Sequence, residues 1–89
     1  MLSGKIYRIS FPSDFEVTIA YGSIVRPLRY YADFVKTEGK WVVYMFSEQK
    51  IKMMSMITDC VVVVEKVRRR DIYRYTCKEF ADRVMEMNE

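Results

Sequence analysis

The chain has 89 residues, 51% of them hydrophobic and 15% aromatic, with 15 Lys and Arg against 12 Asp and Glu for a net charge of +3. That is too apolar for a disordered segment, enough for a single domain spanning 1–89, and too little for two halves that would each bury a core. Histidine is absent, which excludes Ser-His and Cys-His nucleophile pairs and removes the side chain that titrates near neutral pH.

In chain order, residues 5–10 (KIYRIS) alternate, with Ile6 and Arg8 on one face and Tyr7 and Ile9 on the other, the period of a strand. Pro12, Ser13 and Asp14 have turn chemistry. Residues 15–21 (FEVTIAY) alternate more cleanly, and the two runs are expected to form a hairpin. Residues 22–27 read as a connection, because Pro27 has no amide to donate to a central ladder. Two aromatic and β-branched runs, 30–36 and 41–46, flank Thr37-Glu38-Gly39-Lys40 and give the strongest hairpin signal.

Residues 47–59 contain Glu48, Gln49, Lys50, Met53, Met54 and Met56, all helix formers, with Ser47 placed to cap. Ile51, Met53, Ser55 and Ile57 would also alternate as a strand; the expectation taken is helix. Residues 60–67 (CVVVVEKV) read as a strand buried on both faces. A short strand or an extended lead-in over 72–75 precedes a C-terminal amphipathic helix. Thr76 and Glu79 have capping-box spacing there, and Cys77, Phe80, Ala81, Val84 and Met87 share one face. The expected class is α+β: a mainly antiparallel sheet of five to six strands, with the C-terminal helix and the further helix packed on it.

Neither a membrane span nor a signal peptide is expected, since no apolar run, residues 61–64 included, approaches the roughly 20 residues that a span requires. Cys60 and Cys77 alone make no disulfide framework, so a cytoplasmic protein with reduced thiols is expected. Zinc would require four Cys or His ligands, and Gly4, Gly22 and Gly39 form no phosphate loop, so neither metal nor cofactor is expected. Cys77 lies near arginines at a helix start, which would lower a thiol pKa, but it has no base partner and core packing is its simpler use. The acids are scattered singly, and no catalytic residue or enzymatic activity is expected.

The functional signal is residues 66–78 (KVRRRDIYRYTCK). Six basic side chains, Lys66, Arg68, Arg69, Arg70, Arg74 and Lys78, stand against Asp71 alone, with Tyr73 and Tyr75 interleaved. Cations beside aromatics suit a phosphate backbone with unstacked bases. The competing reading is a solvated turn whose tyrosines belong to the sheet. If Ile72 points to the core both tyrosines are exposed, and otherwise they are core. Arg26 and Arg29, beside Tyr30 and Tyr31, repeat the chemistry more weakly. Met53, Met54 and Met56 are read as core filler ahead of an adaptable interaction surface.

Two functions follow. The first is a small nucleic-acid-binding protein, for RNA or single strands, acting by equilibrium binding through Arg68, Arg69, Arg70, Arg74, Tyr73 and Tyr75 with Arg26 and Arg29. The chain carries no RNP octamer, GXXG loop or Cys/His finger. The alternative is a protein-interaction module, such as a small inhibitor, antitoxin or accessory subunit, docking its basic face on an acidic protein surface. No membrane partner is expected, and a homodimer is compatible with either.

Overall fold

The computed structural model describes residues 4–69 and 71–89. Among them the order is β1 (Ile6–Pro12), β2 (Phe15–Tyr21), β3 (Ile24–Pro27), a 3-10 turn (Leu28–Tyr30), β4 (Phe34–Glu38), β5 (Trp41–Ser47), α1 (Glu48–Met56), β6 (Cys60–Lys66), β7 (Ile72–Thr76) and α2 (Cys77–Met87). The α+β class and the antiparallel pairing are as expected. The strand count is not: seven strands form two sheets, ordered β1-β5-β4 and β3-β2-β6-β7.

The extra sheet arises at residues 13–14. β1 pairs with β5 and β2 pairs with β6, so the expected β1–β2 hairpin does not form. A tight two-residue hairpin needs positive φ at its turn. Ser13 and Asp14 do not supply it, since Asp59 is the non-glycine residue with positive φ among those described. The chain turns a corner there and enters the other sheet. The Ser13 amide donates to the Lys40 carbonyl at 2.8 Å, and the Asp14 carbonyl accepts from Val67 at 3.1 Å, fastening the corner to both sheets.

Two tight two-residue hairpins do form, and glycine explains both. Gly39 (φ +59) joins β4 to β5 with Glu38 opposite Trp41, as expected. Gly22 (φ +60) joins β2 to β3 with Tyr21 opposite Ile24, which corrects the expectation of a plain connection. Pro27 is tolerated because β3 is an edge strand, where a missing amide breaks no inner ladder.

The inner faces of both sheets share one core. Tyr7, Ile9, Tyr44 and Phe46 come from the three-stranded sheet, and Val17, Ile19, Val62 and Val64 from the four-stranded one. β6 is not buried on both faces as expected: Val62 and Val64 are buried, whereas Val61 and Val63 face outward and are half-buried. α1 is a helix, with the Ser47 hydroxyl accepting from the Lys50 amide at 3.3 Å. It buries Ile51 and Met54 but leaves Met53 and Met56 exposed, so the methionines divide between core and surface.

α2 carries both capping-box bonds, Glu79 amide to Thr76 hydroxyl at 3.0 Å and Thr76 amide to Glu79 carboxylate at 2.9 Å. Its buried face is Cys77, Phe80, Ala81 and Val84; Met87 lies beyond it and is exposed. At its far end the Asn88 side chain accepts from the Arg8 amide at 3.2 Å and donates to the Arg8 carbonyl at 2.9 Å. One side-chain amide thereby takes both backbone groups of an edge-strand residue, the groups by which an open edge invites foreign strands.

Cys60 and Cys77 are bonded to each other, which corrects the expectation of reduced thiols. Cys60 opens β6 and Cys77 opens α2 directly after β7. The register pairs Val61 with Thr76, so the next position outward on each strand brings the two Cα atoms to 5.4 Å. Spacing along the chain concealed a proximity that the β6–β7 pairing creates.

The bond closes a loop with a sequence separation of 17 residues, worth about 3 kcal/mol in chain entropy. Cys60→Ser/Cys77→Ser should therefore lower the denaturant midpoint and steepen the slope as the unfolded chain expands, and the untreated chain should resist iodoacetamide in denaturant. Two alkylatable thiols in the unreduced protein would show that the bond does not form.

A second prediction concerns acid. The Ser47 amide, 2.6 Å from Asp33 Oδ2, holds the Asp33 carboxyl below its ordinary range, helped by Lys50. A carboxylate with a depressed folded pKa contributes stability above its unfolded pKa and loses it as pH falls through the folded value. Asp33→Asn should thus lower the melting temperature at neutral pH and flatten its fall between about pH 5 and about pH 2. Parallel curves for variant and parent would show that Asp33 makes no such contribution.

Candidate nucleic-acid interface

The β6–β7 loop leaves the sheet at the same end as the corner at 13–14. The Lys66 amide donates to the Asp71 carbonyl at 2.9 Å, and the Val67 amide holds Asp14, so the loop is pinned on both sides while its tip stands in solvent. Arg68 and Arg69 are exposed on that tip. Arg70 lies outside the described residues.

Along β7 the faces alternate. Arg74 pairs across from Val63 and, with Ile72 and Thr76, faces outward. Tyr73 lies opposite Val64 and Tyr75 opposite Val62, on the side that faces the core. The two tyrosines nevertheless differ, because β7 is an edge strand. Tyr75 is half-buried against the core, with the Arg83 guanidinium of α2 5.5 Å from its ring centre. Tyr73 is 51% exposed. The choice between two exposed and two core tyrosines was therefore too coarse, since an edge position leaves one ring accessible on an inward-facing side.

Arg26 and Arg29 are not brought beside this segment. Arg26 lies on β3, at the opposite edge of the same sheet, with β2 and β6 between. Three inter-strand steps separate the edges by roughly 14 Å. Arg26 stacks its guanidinium 4.3 Å from the Tyr30 ring centre, and Tyr30 meets Tyr31 edge to face at 5.2 Å. Arg29 is exposed in the 3-10 turn.

Ion pairing separates the cations into two classes. The four ion pairs among the described residues use Lys36, Lys50, Lys52 and Lys78, with Glu38, Asp33, Glu48 and Asp82. No arginine takes part in one. The guanidinium groups of Arg68, Arg69 and Arg74 are thus exposed and uncommitted among these residues, in the state that a phosphate can engage bidentately. Among the described residues no group of three or more His, Cys, Asp or Glu side chains could hold a metal ion.

Sequence reasoning missed a cleft where the corner, the β4–β5 turn and the β6–β7 loop converge. It encloses about 610 Å³ and is lined by Pro12, Ser13, Asp14, Lys40, Trp41 and Arg68. Trp41, the single tryptophan, is 51% exposed there. Alternation along β5 held a clue, because Tyr44 and Phe46 face the core and Trp41 stands an odd number of positions from each, on the outer face. What brings Arg68 to it could not be read, since that depends on the crossing between sheets. A second cavity of about 210 Å³ is apolar and lies along the disulfide between Ile19, Tyr21, Tyr31, Met54 and Ile57.

The tyrosines can be told apart by stability alone. Tyr75→Ala should cost about 1–3 kcal/mol, through lost packing. Tyr73→Ala should change the melting temperature little. Equal losses for both would mean that the exposed Tyr73 ring is as firmly packed as Tyr75.

Comparison with family models, with curated proteins and with solved structures gives no match to this chain, so its functional reading rests on its own residues.

Proposed function

We propose that this chain binds single-stranded nucleic acid, RNA foremost, by equilibrium binding at the β6–β7 loop and the adjoining edge strand. The observation that carries the reading is the exposure of Arg68, Arg69 and Arg74, none of them in an ion pair among the described residues, beside the accessible ring of Tyr73. The arginines would neutralise phosphates, and Tyr73 would stack on an unpaired base. Tyr75 supports β7 from the core side. Arg26 and Arg29, an edge away, add long-range attraction more than contact with the same nucleotides. Single strands are favoured over duplex because neither helix presents a basic face: α1 and α2 each mix Lys or Arg with Glu or Asp.

One observation favours a second reading, docking on an acidic protein surface. The outer face of the four-stranded sheet sets exposed Ile72 and half-buried Val61 and Val63 near Arg74, with exposed Val25 at the far edge. A partial apolar cover with a charged edge is a composition found at protein interfaces.

Salt separates the two. For a single strand held through about four phosphates, log K should fall against log salt with a slope near −3, and Arg68→Ala/Arg69→Ala should flatten that slope by about 1.4. An affinity indifferent to salt would overturn the nucleic-acid reading. Under protein docking the same substitutions would chiefly slow association with one partner, and no polynucleotide would compete.

A further inference from the structure

The geometry points to the cleft at the sheet crossing as a guanine-selective nucleotide site, one that stacks the base on Trp41 and reads its edge with Asp14. Where the guanine belongs to a strand, the inference rests on the nucleic-acid reading above and supplies the base preference that the arginine loop cannot.

Four facts meet in this place. The volume, about 610 Å³, is within the range of roughly 300–1,000 Å³ for small-molecule sites. Trp41 is half exposed on the outer face of β5, and an indole is the largest stacking platform a side chain offers. Lys40 and Arg68 line the same cleft and give a phosphate two cationic partners from different loops. Asp14 also lines it, exposed, and its carboxylate enters no ion pair or side-chain hydrogen bond among the described residues.

The carboxylate is what chooses the base. An ionised aspartate only accepts hydrogen bonds. Guanine presents two adjacent donors on its Watson–Crick edge, N1–H and the N2 amino group, and can give both to one carboxylate. Adenine and cytosine place a ring-nitrogen acceptor beside their amino donor, and uracil flanks its single N–H with two carbonyls. Each of those arrangements turns a lone pair toward the carboxylate and leaves it repelled. A negative group among cations also keeps phosphates off its own position, so the phosphate is directed to Lys40 and Arg68 and the base to Asp14.

The corner holds these groups in place. The Ser13 amide is bonded to Lys40 and the Asp14 carbonyl to Val67, so the aspartate, the β4–β5 turn and the start of the arginine loop are tied by backbone hydrogen bonds. The backbone supports of a site assembled from three loops are thereby tied to one another.

The single tryptophan reports on the site directly. Guanosine monophosphate should quench Trp41 emission, with AMP, CMP and UMP weaker by about tenfold or more. In parallel, short oligo-G, oligo-A, oligo-C and oligo-U are followed by anisotropy of a label on the strand. Trp41→Ala should weaken guanine binding by about tenfold or more, Trp41→Phe should retain most of it, and Asp14→Asn should erase the preference for guanine. Circular dichroism confirms the fold of each variant. If strands bind while Trp41 emission and base preference stay flat, this inference falls and the nucleic-acid reading stands. If the monophosphate quenches but no strand binds, the site is for a free nucleotide and the strand reading falls. If neither monophosphate nor strand perturbs Trp41, no guanine site exists here.

Discussion

Residues 13–14 carry the chain from one sheet into the other, and the arrangement of everything near the candidate site depends on how that corner is held. A polar two-residue link with no positive φ cannot fold β1 back onto β2. The two strands are free to take different partners, β5 and β6, and each brings a loop with it. The β4–β5 turn arrives on one side and the β6–β7 loop on the other. Backbone bonds from Ser13 to Lys40 and from Val67 to Asp14 then fasten both. Backbone amides at such a place would be costly to leave unpaired, and their pairing is what gathers three distant stretches of sequence at one end of the molecule.

The opposite end is secured differently. β6 lies between β2 and β7, and its register with β7 sets Cys60 against Cys77, so a covalent bond ties the start of β6 to the start of α2. The capping box satisfies the amides at that helix start, and Asn88 at its other end takes both backbone groups of Arg8 on β1. α2 is therefore attached at one end to the four-stranded sheet and at the other to the three-stranded sheet, with Phe80 and Val84 filling the core between. Two small sheets that share no strand are held as one body by the corner at one place and by this helix at another.

Local chemistry was largely legible. The capping box at Thr76 and Glu79, the apolar face of α2, the β4–β5 hairpin and the helix after Ser47 all follow from short-range spacing, and short-range spacing dictates them physically. What escaped depends on which distant strand each strand chose. The alternation of residues 5–10 and 15–21 was right, but alternation says which face is buried and nothing about the partner. The Gly22 turn was hidden by Pro27, because a proline argues against an inner strand and is silent about an edge. The disulfide followed from the β6–β7 register, so a separation of 17 along the chain gave no sign of it. The arginine loop was visible as composition, whereas Trp41, Lys40 and Asp14 became a site only through the crossing.

That division between composition and topology corresponds to a division in what a nucleic-acid ligand would feel. Contacts to phosphate position a strand and carry no sequence information, whereas contacts to base edges specify it. Arg68, Arg69 and Arg74 are of the first kind: exposed, and screened over about 8 Å at physiological salt. Asp14 is of the second kind, and Trp41 would hold the stacked base for it to read; one stands on a corner and the other on a strand whose backbones are tied to both sheets. The net charge of +3 matters little to either, since the Debye length confines each field to its own neighbourhood. Arg68 belongs to both groups, because it stands on the loop tip and also lines the cleft. A strand drawn in by the loop would for that reason meet the cleft with its phosphates already toward Arg68, leaving the adjacent base as the part free to turn toward Trp41.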